Sequence, residues 1–388
     1  MPFDKLRANG MAYFIAGLMM YCLLAPPTMA AGAAGRLPDL LDLPAPADAR
    51  AQTGTQLAVA RAGERLVAVG VRGTVLLSDD HGRSWRQARA VPVSVALTDV
   101  HFPTAQEGWA VGHSGVALHS TDGGETWTRV LDGREIARIV LEDARARVDG
   151  GDDSTAAARA LRDAERLVEE GPDKPLLAVH FADGGRGWVV GAYGLALVTQ
   201  DGGRSWQSLV GRIPNPRGNH LYRIQADGDA LLIAGEQGVL FRSADGGESF
   251  EKISTPYGGT FFGALALDGG GLLAYGLRGN AWRGEEGGES GAAWTQVAID
   301  LPVTLTGAQR LEDGSIVLAD ESGRLLRSTD GARSFAPLPA AAATGLSGLA
   351  QAADGALIVA GARGLARIEP AHLAPSARSA HSTQEETR

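Results

Sequence analysis

Residues 120–127 read Ser-Thr-Asp-Gly-Gly-Glu-Thr-Trp, and the same eight-residue pattern returns four more times along the chain. Each copy has a hydroxyl residue, an aspartate two positions later, a small residue, a second hydroxyl residue and a closing Trp or Phe. In a tight turn such an aspartate accepts hydrogen bonds from the backbone N–H groups that follow it, while glycine supplies the positive φ. The pattern therefore predicts structural turns rather than catalytic or metal sites. The five aspartates are Asp80, Asp122, Asp201, Asp245 and Asp330.

A second motif, Gly-x-x-Gly between two short apolar runs, sets the period of the repeat. Its first positions are 42, 79, 44, 41, 44 and 41 residues apart, so six intervals define seven copies. A period of about 40–45 residues with four short strands in each copy is typical of a β-propeller. We predict an all-β fold, a seven-bladed β-propeller over residues 36–370. The first positions are Gly70, Gly112, Gly191, Gly235, Gly276, Asp320 and Gly361.

The one long interval contains an insert of different composition at residues 133–175. Two runs within it, 135–148 and 154–170, are rich in Ala, Arg, Glu and Leu and contain neither Gly nor Pro. Their apolar residues recur at helical spacing, and the Asp-Gly-Gly-Asp-Asp stretch between them supplies a turn and a cap. We predict a helical hairpin between the second and third blades. The aspartates of the turn, 149, 152 and 153, could bind calcium, but no EF-hand spacing follows them.

The two ends of the propeller are expected to differ from its middle. The seventh copy stops near Pro370 without an aspartate turn, so it supplies only three strands. An open sheet edge invites aggregation, and we expect residues 40–47 to provide the missing edge strand. The polar residues 371–388 are expected to form a disordered tail.

The first 30 residues have the features of a secretory signal peptide. Lys5 and Arg7 precede an apolar run at 11–24, and small residues lead to Ala30. A membrane anchor is the alternative, but the run is shorter than the ~20 residues that a spanning helix needs. Cys22, the one cysteine, lies in this segment in a poor lipoprotein context, so no disulfide or thiol chemistry is expected. We predict export to a bacterial periplasm.

The overall composition argues against two other classes of protein. Glycine accounts for 53 of 388 residues and charged residues for 21%, which suits a turn-rich globular fold and not a disordered chain. The net charge of −9 is unfavourable for nucleic-acid binding, which needs a basic surface against phosphate.

The five aspartate turns resemble the Asp-box, or BNR, repeat of sialidase-like β-propellers. Together with the Gly-x-x-Gly units, which span Gly70 to Gly364, the pattern resembles most closely the photosystem II stability/assembly factor family. That resemblance implies a non-enzymatic seven-bladed propeller that assists the assembly or stability of an envelope membrane protein complex. It implies no catalytic residue, no cofactor and no metal, and a propeller that is itself monomeric. It does not identify the partner protein.

The antiparallel strands, named A to D in each blade, sort the loops onto two faces. A–B and C–D turns share one face, and the B–C turns, the D–A connections and the insert share the other. Arginine and aromatic residues are enriched in binding hot spots, and they cluster on the second face. We predict that this face binds acidic loops of a membrane protein. The predicted binding residues are Arg72, Arg278, Arg363, Tyr193, Gln237, Arg212, Arg217, His220, Tyr222 and Tyr257, with Phe261 and Phe262 nearby.

A sialidase-like glycoside hydrolase or a carbohydrate-binding propeller is the alternative function. Sialidases use a tyrosine nucleophile and three arginines that bind a carboxylate. The fragment 212–214, Arg-Ile-Pro, resembles a sialidase motif, but that motif precedes the first Asp box and here it follows the third. His101 and His180 occupy equivalent Val-His-Phe triplets, where repeat-related packing is a simpler interpretation than channel-lining ligands.

Overall fold

The computed structural model describes residues 38–285, 293–339 and 345–373. In this part of the chain, 27 strands form seven antiparallel sheets, and the order of strands along the chain is also their order across each sheet. Six sheets have four strands and the last has three. The predicted seven-bladed β-propeller with a helical insertion is confirmed.

The first four blades hold strands β1 to β16. Blade 1 contains β1 Gln56–Ala62, β2 Arg65–Gly70, β3 Val75–Ser78 and β4 Arg86–Gln87. Blade 2 contains β5 Leu97–His101, β6 Gly108–Gly112, β7 Ala117–Ser120 and β8 Thr128–Leu131. Blade 3 contains β9 Leu176–Phe181, β10 Gly187–Gly191, β11 Ala196–Thr199 and β12 Gln207–Ser208. Blade 4 contains β13 Leu221–Asp227, β14 Ala230–Gly235, β15 Leu240–Ser243 and β16 Glu251–Ile253.

The remaining three blades hold strands β17 to β27. Blade 5 contains β17 Phe261–Ala266, β18 Leu272–Gly276, β19 Ala281–Glu285 and β20 Ala293–Val297. Blade 6 contains β21 Leu305–Arg310, β22 Ile316–Asp320, β23 Leu325–Ser328 and β24 Ala336–Pro337. Blade 7 contains β25 Leu346–Gln351, β26 Leu357–Gly361 and β27 Gly364–Ile368, followed by the 3-10 turn Pro370–Leu373.

The core lies between the blades and not within any one of them. Buried side chains of the described residues form seven apolar clusters, and each cluster joins two consecutive blades. The middle strands are apolar on both sides because each blade is packed between two others. Strand β2, for example, reads Arg-Leu-Val-Ala-Val-Gly, and its last five residues are buried.

The ring closes through an apolar interface instead of a shared sheet. Ala350, Ile358 and Ala360 of blade 7 pack against Val59 and Leu66 of blade 1. The predicted edge strand at 40–47 is wrong. Its first residues form the 3-10 turn Leu40–Asp42, the rest is extended without a sheet partner, and the segment lies over the connection between blades 1 and 2. Two backbone bonds hold it there, Ala45 N to Val91 O at 2.9 Å and Ser94 N to Leu40 O at 2.8 Å.

The insert folds as the predicted hairpin, with helices α1 Gly133–Asp149 and α2 Thr155–Glu170. Asp132 caps α1 because its side chain accepts from the N–H groups of Arg134 and Glu135. Ile136 and Val140 of α1 join the apolar cluster between blades 2 and 3, so the helix is part of the core. Among the described residues, no helix is both long and apolar enough to span a membrane.

Some sequence predictions lie outside the described residues. These are the signal segment 1–30 and the tail from 374. The three tail residues that are described, 371–373, belong to the last 3-10 turn, and Leu373 among them is buried.

Candidate partner-binding face

The Asp boxes are closed hydrogen-bonding units on the first face. In the second box, Asp122 Oδ1 accepts from Thr126 N at 2.9 Å and from Ser120 Oγ at 2.9 Å, and Oδ2 accepts from Thr126 Oγ1 at 2.6 Å. Ser120 Oγ also accepts from Gly124 N at 2.9 Å. The other four boxes repeat these bonds around Asp80, Asp201, Asp245 and Asp330.

These bonds hold the box carboxylates in their ionised form. The Ser205 hydroxyl and backbone N–H lower the pKa of Asp201 to about 2. The Ser84 and Ser249 groups likewise lower the pKa of Asp80 and Asp245. Every oxygen of these carboxylates is therefore engaged in the turn, which supports a structural role.

The opposite face is built from seven equivalent backbone bonds. In every blade, the residue after the first motif position donates its N–H to the carbonyl of the residue before strand A. This carbonyl comes so close that a Cβ on Gly112 would lie 2.1 Å from Ala96 O, which is why glycine is required there. The seven bonds run from Val71 to Thr55, His113 to Ala96, Ala192 to Pro175, Glu236 to His220, Leu277 to Thr260, Glu321 to Thr304 and Ala362 to Gly345.

Asp320 replaces that glycine in blade 6 and makes a different turn. Its carboxylate is fully buried and accepts from Ser322 N at 2.9 Å, Ser322 Oγ at 2.6 Å and Arg324 N at 3.0 Å. Arg324 Nε adds an ion pair at 2.7 Å. In blade 6 the Asp320 side chain therefore stabilises the turn with its own hydrogen bonds, whereas the other blades have glycine at this position.

Five turn tips carry a side chain on a left-handed backbone. This conformation is uncommon for residues other than glycine and presents the side chain at the apex of the loop. Ser322 of blade 6 and the predicted binding residue Arg363 of blade 7 are absent from this set, so these two blades present their turns differently. The five residues are Arg72, Ser114, Tyr193, Gln237 and Arg278, with φ between 54° and 59°.

An aromatic run crosses this face from blade 3 to blade 5. Tyr193 is 62% exposed, and its ring centroid lies 4.8 Å from that of His220. His220 is 6.3 Å from Tyr222, which is 5.0 Å from Phe262. The Lys174 ammonium lies 5.1 Å from the centre of the Tyr193 ring, and His220 Nδ1 accepts from Tyr193 N at 2.8 Å.

Charged and amide side chains flank the aromatic run. Arg217 Nη1 donates to Gln237 Oε1 at 2.8 Å, which brings two predicted residues together. Tyr257 donates its hydroxyl to Leu277 O at 3.2 Å, and the neighbouring Arg278 is exposed and has no carboxylate partner among the described residues.

Two predicted residues are engaged elsewhere. Arg212 Nη1 pairs with Glu248 Oε2 of the fourth Asp box at 3.1 Å, so its side chain is directed away from the aromatic run. Arg72 Nη1 lies 3.7 Å from Asp48 of the N-terminal segment. Because that segment and α1 pack beside the turns of blades 1 and 2, the uncovered aromatic and basic side chains lie on blades 3 to 5. We call this part, Tyr193, Arg217, His220, Tyr222, Gln237, Tyr257, Phe262 and Arg278, the aromatic rim.

A polar cluster on the innermost strands was not foreseen as a unit from the sequence. Arg223 Nη1 of blade 4 lies 3.4 Å from Asp99 Oδ1 of blade 2, and Val179 N donates to Asp99 Oδ2 at 3.1 Å. Burial raises the pKa of Asp99. Ala178 holds the equivalent position on the intervening blade 3, and only an alignment of the repeats could have revealed this equivalence from the sequence.

The two equivalent histidines contact each other beside this pair. Their ring centroids are 4.4 Å apart, and His101 Nδ1 accepts from Phe181 N at 3.2 Å. Burial, followed by His180 and Arg223, lowers the pKa of His101 to about 3, and burial with Arg223 lowers that of His180 to about 4. Both are neutral packing residues at pH 7, and the described residues contain no cluster of three or more His, Cys, Asp or Glu arranged for a metal ion.

Comparison with known proteins finds YCF48 assembly factors among the matches. The family model described as "Photosynthesis system II assembly factor YCF48" matches residues 63–137 and 160–261. The chain is 26% identical over 237 residues to the photosystem II assembly lipoprotein Ycf48 of Synechococcus sp. (strain CC9902), covering 47% of this chain and 70% of the relative.

Two solved structures share the fold at low sequence identity. YCF48 from Cyanidioschyzon merolae superposes with a TM-score of 0.60 at 16% identity, covering 84% of this chain and 98% of that one. A structure of YCF48 bound to a D1 peptide gives a TM-score of 0.55 at 18% identity, covering 81% of this chain and 92% of that one.

Proposed function

We propose that this chain, a propeller of the photosystem II assembly factor-like family, is a non-catalytic scaffold that binds a membrane protein during assembly of its complex. The aromatic rim carries the binding. One related YCF48 is described as bound to a D1 peptide, which makes a segment of a membrane protein the natural class of ligand. The observation that carries the proposal is the exposed Tyr193 at the end of an aromatic run flanked by basic side chains.

The chemistry of the rim suits an extended acidic peptide segment. Tyrosine and histidine rings offer flat apolar surface with polar edges, and they lose little conformational entropy on binding. Arg217 and Arg278 are exposed and supply positive charge within a protein of net charge −9, so an acidic segment would be steered to this part of the surface.

The proposal includes that the protein has no sialidase-type activity. The rim tyrosines Tyr222 and Tyr257 have a pKa raised by burial, which disfavours the tyrosinate that a sialidase-type nucleophile would resemble. Arg212, from the Arg-Ile-Pro fragment, is paired with Glu248 and does not join other arginines around a carboxylate site. Turnover of fluorogenic sialosides, abolished by a rim tyrosine variant, would contradict this part.

The similarity to the same family also supports a proposal for the place of action. The Synechococcus relative is named a lipoprotein, and residues 1–30 of this chain have the pattern of an export signal. We propose that the propeller acts on the periplasmic side of the membrane, as a monomer.

Affinity capture from solubilised membranes tests the proposal. The rim variant Arg217→Glu, Arg278→Glu reverses the charge of two exposed arginines, neither of which has a carboxylate partner among the described residues. We expect it to lose at least tenfold of the captured membrane protein relative to the parent chain. The matched control is Arg204→Glu, an exposed arginine in the third Asp box on the other face, which should capture as the parent does. Equal capture by all three proteins would refute the rim.

A further inference from the structure

The Tyr193 tip is held by a side chain of the next blade. Tyr193 lies on a left-handed backbone, φ 56°, in the turn between β10 and β11 of blade 3. Its N–H donates at 2.8 Å to Nδ1 of His220, which directly precedes strand β13 of blade 4. In the part of the chain that the structure describes, none of the other four left-handed tips donates its N–H to a side chain of a neighbouring blade. We call this bond the tip contact.

The tip contact requires the neutral form of His220. A neutral imidazole has one N–H group and one acceptor nitrogen. Because Nδ1 accepts from Tyr193, the proton of the neutral ring is on Nε2. A second proton would add to Nδ1 and face the Tyr193 N–H, and two donors cannot share a hydrogen bond. Protonation of His220 therefore breaks the tip contact.

Glu236 lies next to the ring as a partner for its protonated form. Its Oε2 accepts from the His220 backbone N–H at 2.9 Å and lies 3.9 Å from His220 Nδ1. The His220 and Glu236 side chains are 29% and 31% exposed, so the ring can exchange protons with the solvent. An imidazolium that leaves the tip contact thus has a carboxylate beside it, which favours the protonated ring.

Glu236 is the one carboxylate within ion-pair distance of the His220 ring among the described residues. The other charged or titratable side chains around the tip contact are Lys174, Tyr193, Arg217 and Tyr222. The Lys174 ammonium is neutralised by Asp173 at 2.6 Å and by Glu170 at 2.7 Å. Burial, followed by Glu236, raises the pKa of Tyr222, which therefore stays uncharged at neutral pH. Proton uptake at His220 is thus the change that alters the charge at this contact.

We propose that His220 makes binding at the aromatic rim dependent on pH: the neutral ring fixes the Tyr193 tip for binding, and the protonated ring releases the tip and pairs with Glu236. This inference rests on the proposed function, because it concerns the affinity of that same rim. A tip that is already fixed loses less conformational entropy when a partner binds. The new positive charge is balanced by Glu236, so it adds little attraction for an acidic segment. Since histidine gains its proton between about pH 8 and 5, the affinity for the partner falls across this range.

Nuclear magnetic resonance of the full chain, labelled with nitrogen-15 in its tyrosines, tests the tip contact. The amide resonance of Tyr193, identified by its loss in Tyr193→Phe, should move between pH 7.5 and pH 5.5 as the contact breaks. His220→Asn keeps an amide oxygen near the Nδ1 position but takes up no proton, so its Tyr193 resonance should not move. The matched control His372→Asn removes an exposed histidine elsewhere and should behave as the parent does. A Tyr193 resonance that stays fixed in the parent, or that moves equally in His220→Asn, would overturn the proposal.

Capture of the membrane protein at the same two pH values links the tip contact to binding. The parent should capture less protein at pH 5.5 than at pH 7.5 by about threefold or more, whereas His220→Asn should capture equal amounts. Both chains retain His101 and His180, so any general loss of stability in acid affects them alike. An equal fall in both chains would overturn the proposal.

The two measurements also separate this inference from the proposed function. A fixed Tyr193 resonance, together with capture that is lost in the Arg217→Glu, Arg278→Glu variant, would overturn the role of His220 and leave the proposed function standing. A resonance that moves with pH, together with capture that does not depend on those two arginines, would instead refute the aromatic rim.

Discussion

At the scale of single residues, the box aspartates stabilise turns, and the side chains at the turn tips are exposed. The box carboxylates have every oxygen bonded within the turn, whereas the tip side chains on left-handed backbone, such as Tyr193, are held outward. The sequence sufficed to identify the boxes because their donors and acceptors lie within eight residues. It could not show that Arg212 pairs with Glu248, since 36 residues separate the two partners.

Removing one box aspartate should destabilise the propeller measurably. Asp122→Ala deletes three hydrogen bonds to a carboxylate, and we expect a loss of about 1–3 kcal/mol in the free energy of unfolding. Thermal and denaturant unfolding would measure it. Asp153→Ala, in the exposed turn of the insert, serves as the control and should change stability by less than about 0.5 kcal/mol.

The histidine pair should make folding sensitive to mild acid. Histidine in the unfolded chain takes up a proton near pH 6.5, but His180 in the folded chain has a pKa of about 4. The contribution of neutral His180 to the free energy of unfolding is therefore complete above pH 6.5 and is lost as the pH falls from 6.5 toward 4. His180→Gln should flatten this part of the pH–stability curve, while His372→Gln, an exposed control, should leave it unchanged. A parent curve that is flat from pH 6.5 to 4 would contradict this account.

At the scale of strands and helices, the local sequence pattern predicts an element when that element packs against the neighbouring blade. The box and Gly-x-x-Gly motifs predicted all seven repeats, and the composition of 133–175 predicted both helices of the insert. The predicted strand at 40–47 failed because its packing depends on contacts that no local pattern encodes, such as Ala45 N to Val91 O.

The buried face of α1 should contribute more to stability than the exposed face of α2. Ile136 is 1% exposed between blades 2 and 3, so Ile136→Ala should cost about 2–4 kcal/mol. Val168 of α2 is 47% exposed, and Val168→Ala should cost less than about 0.5 kcal/mol. Equal effects in denaturant titrations would show that α1 is not part of the core.

At the scale of the whole molecule, a closed ring separates the face that carries the Asp boxes from the face that we propose binds a partner. The antiparallel order of the strands was enough to assign each loop to one of the two faces, so the sequence predicted which face carries the Gly-x-x-Gly turns. It could not show that the N-terminal segment and α1 pack beside the turns of blades 1 and 2, because these contacts arise only after folding. This asymmetry directs the binding hypothesis to blades 3 to 5.

Site-specific photo-crosslinking tests the binding hypothesis most directly. A benzophenone amino acid placed at Tyr193 should cross-link to a membrane protein in intact membranes, because this tip is exposed at the end of the aromatic rim. The same amino acid at Arg204, on the Asp-box face, should give no such product. Cross-linking of the membrane protein from position 204 and not from position 193 would contradict the account.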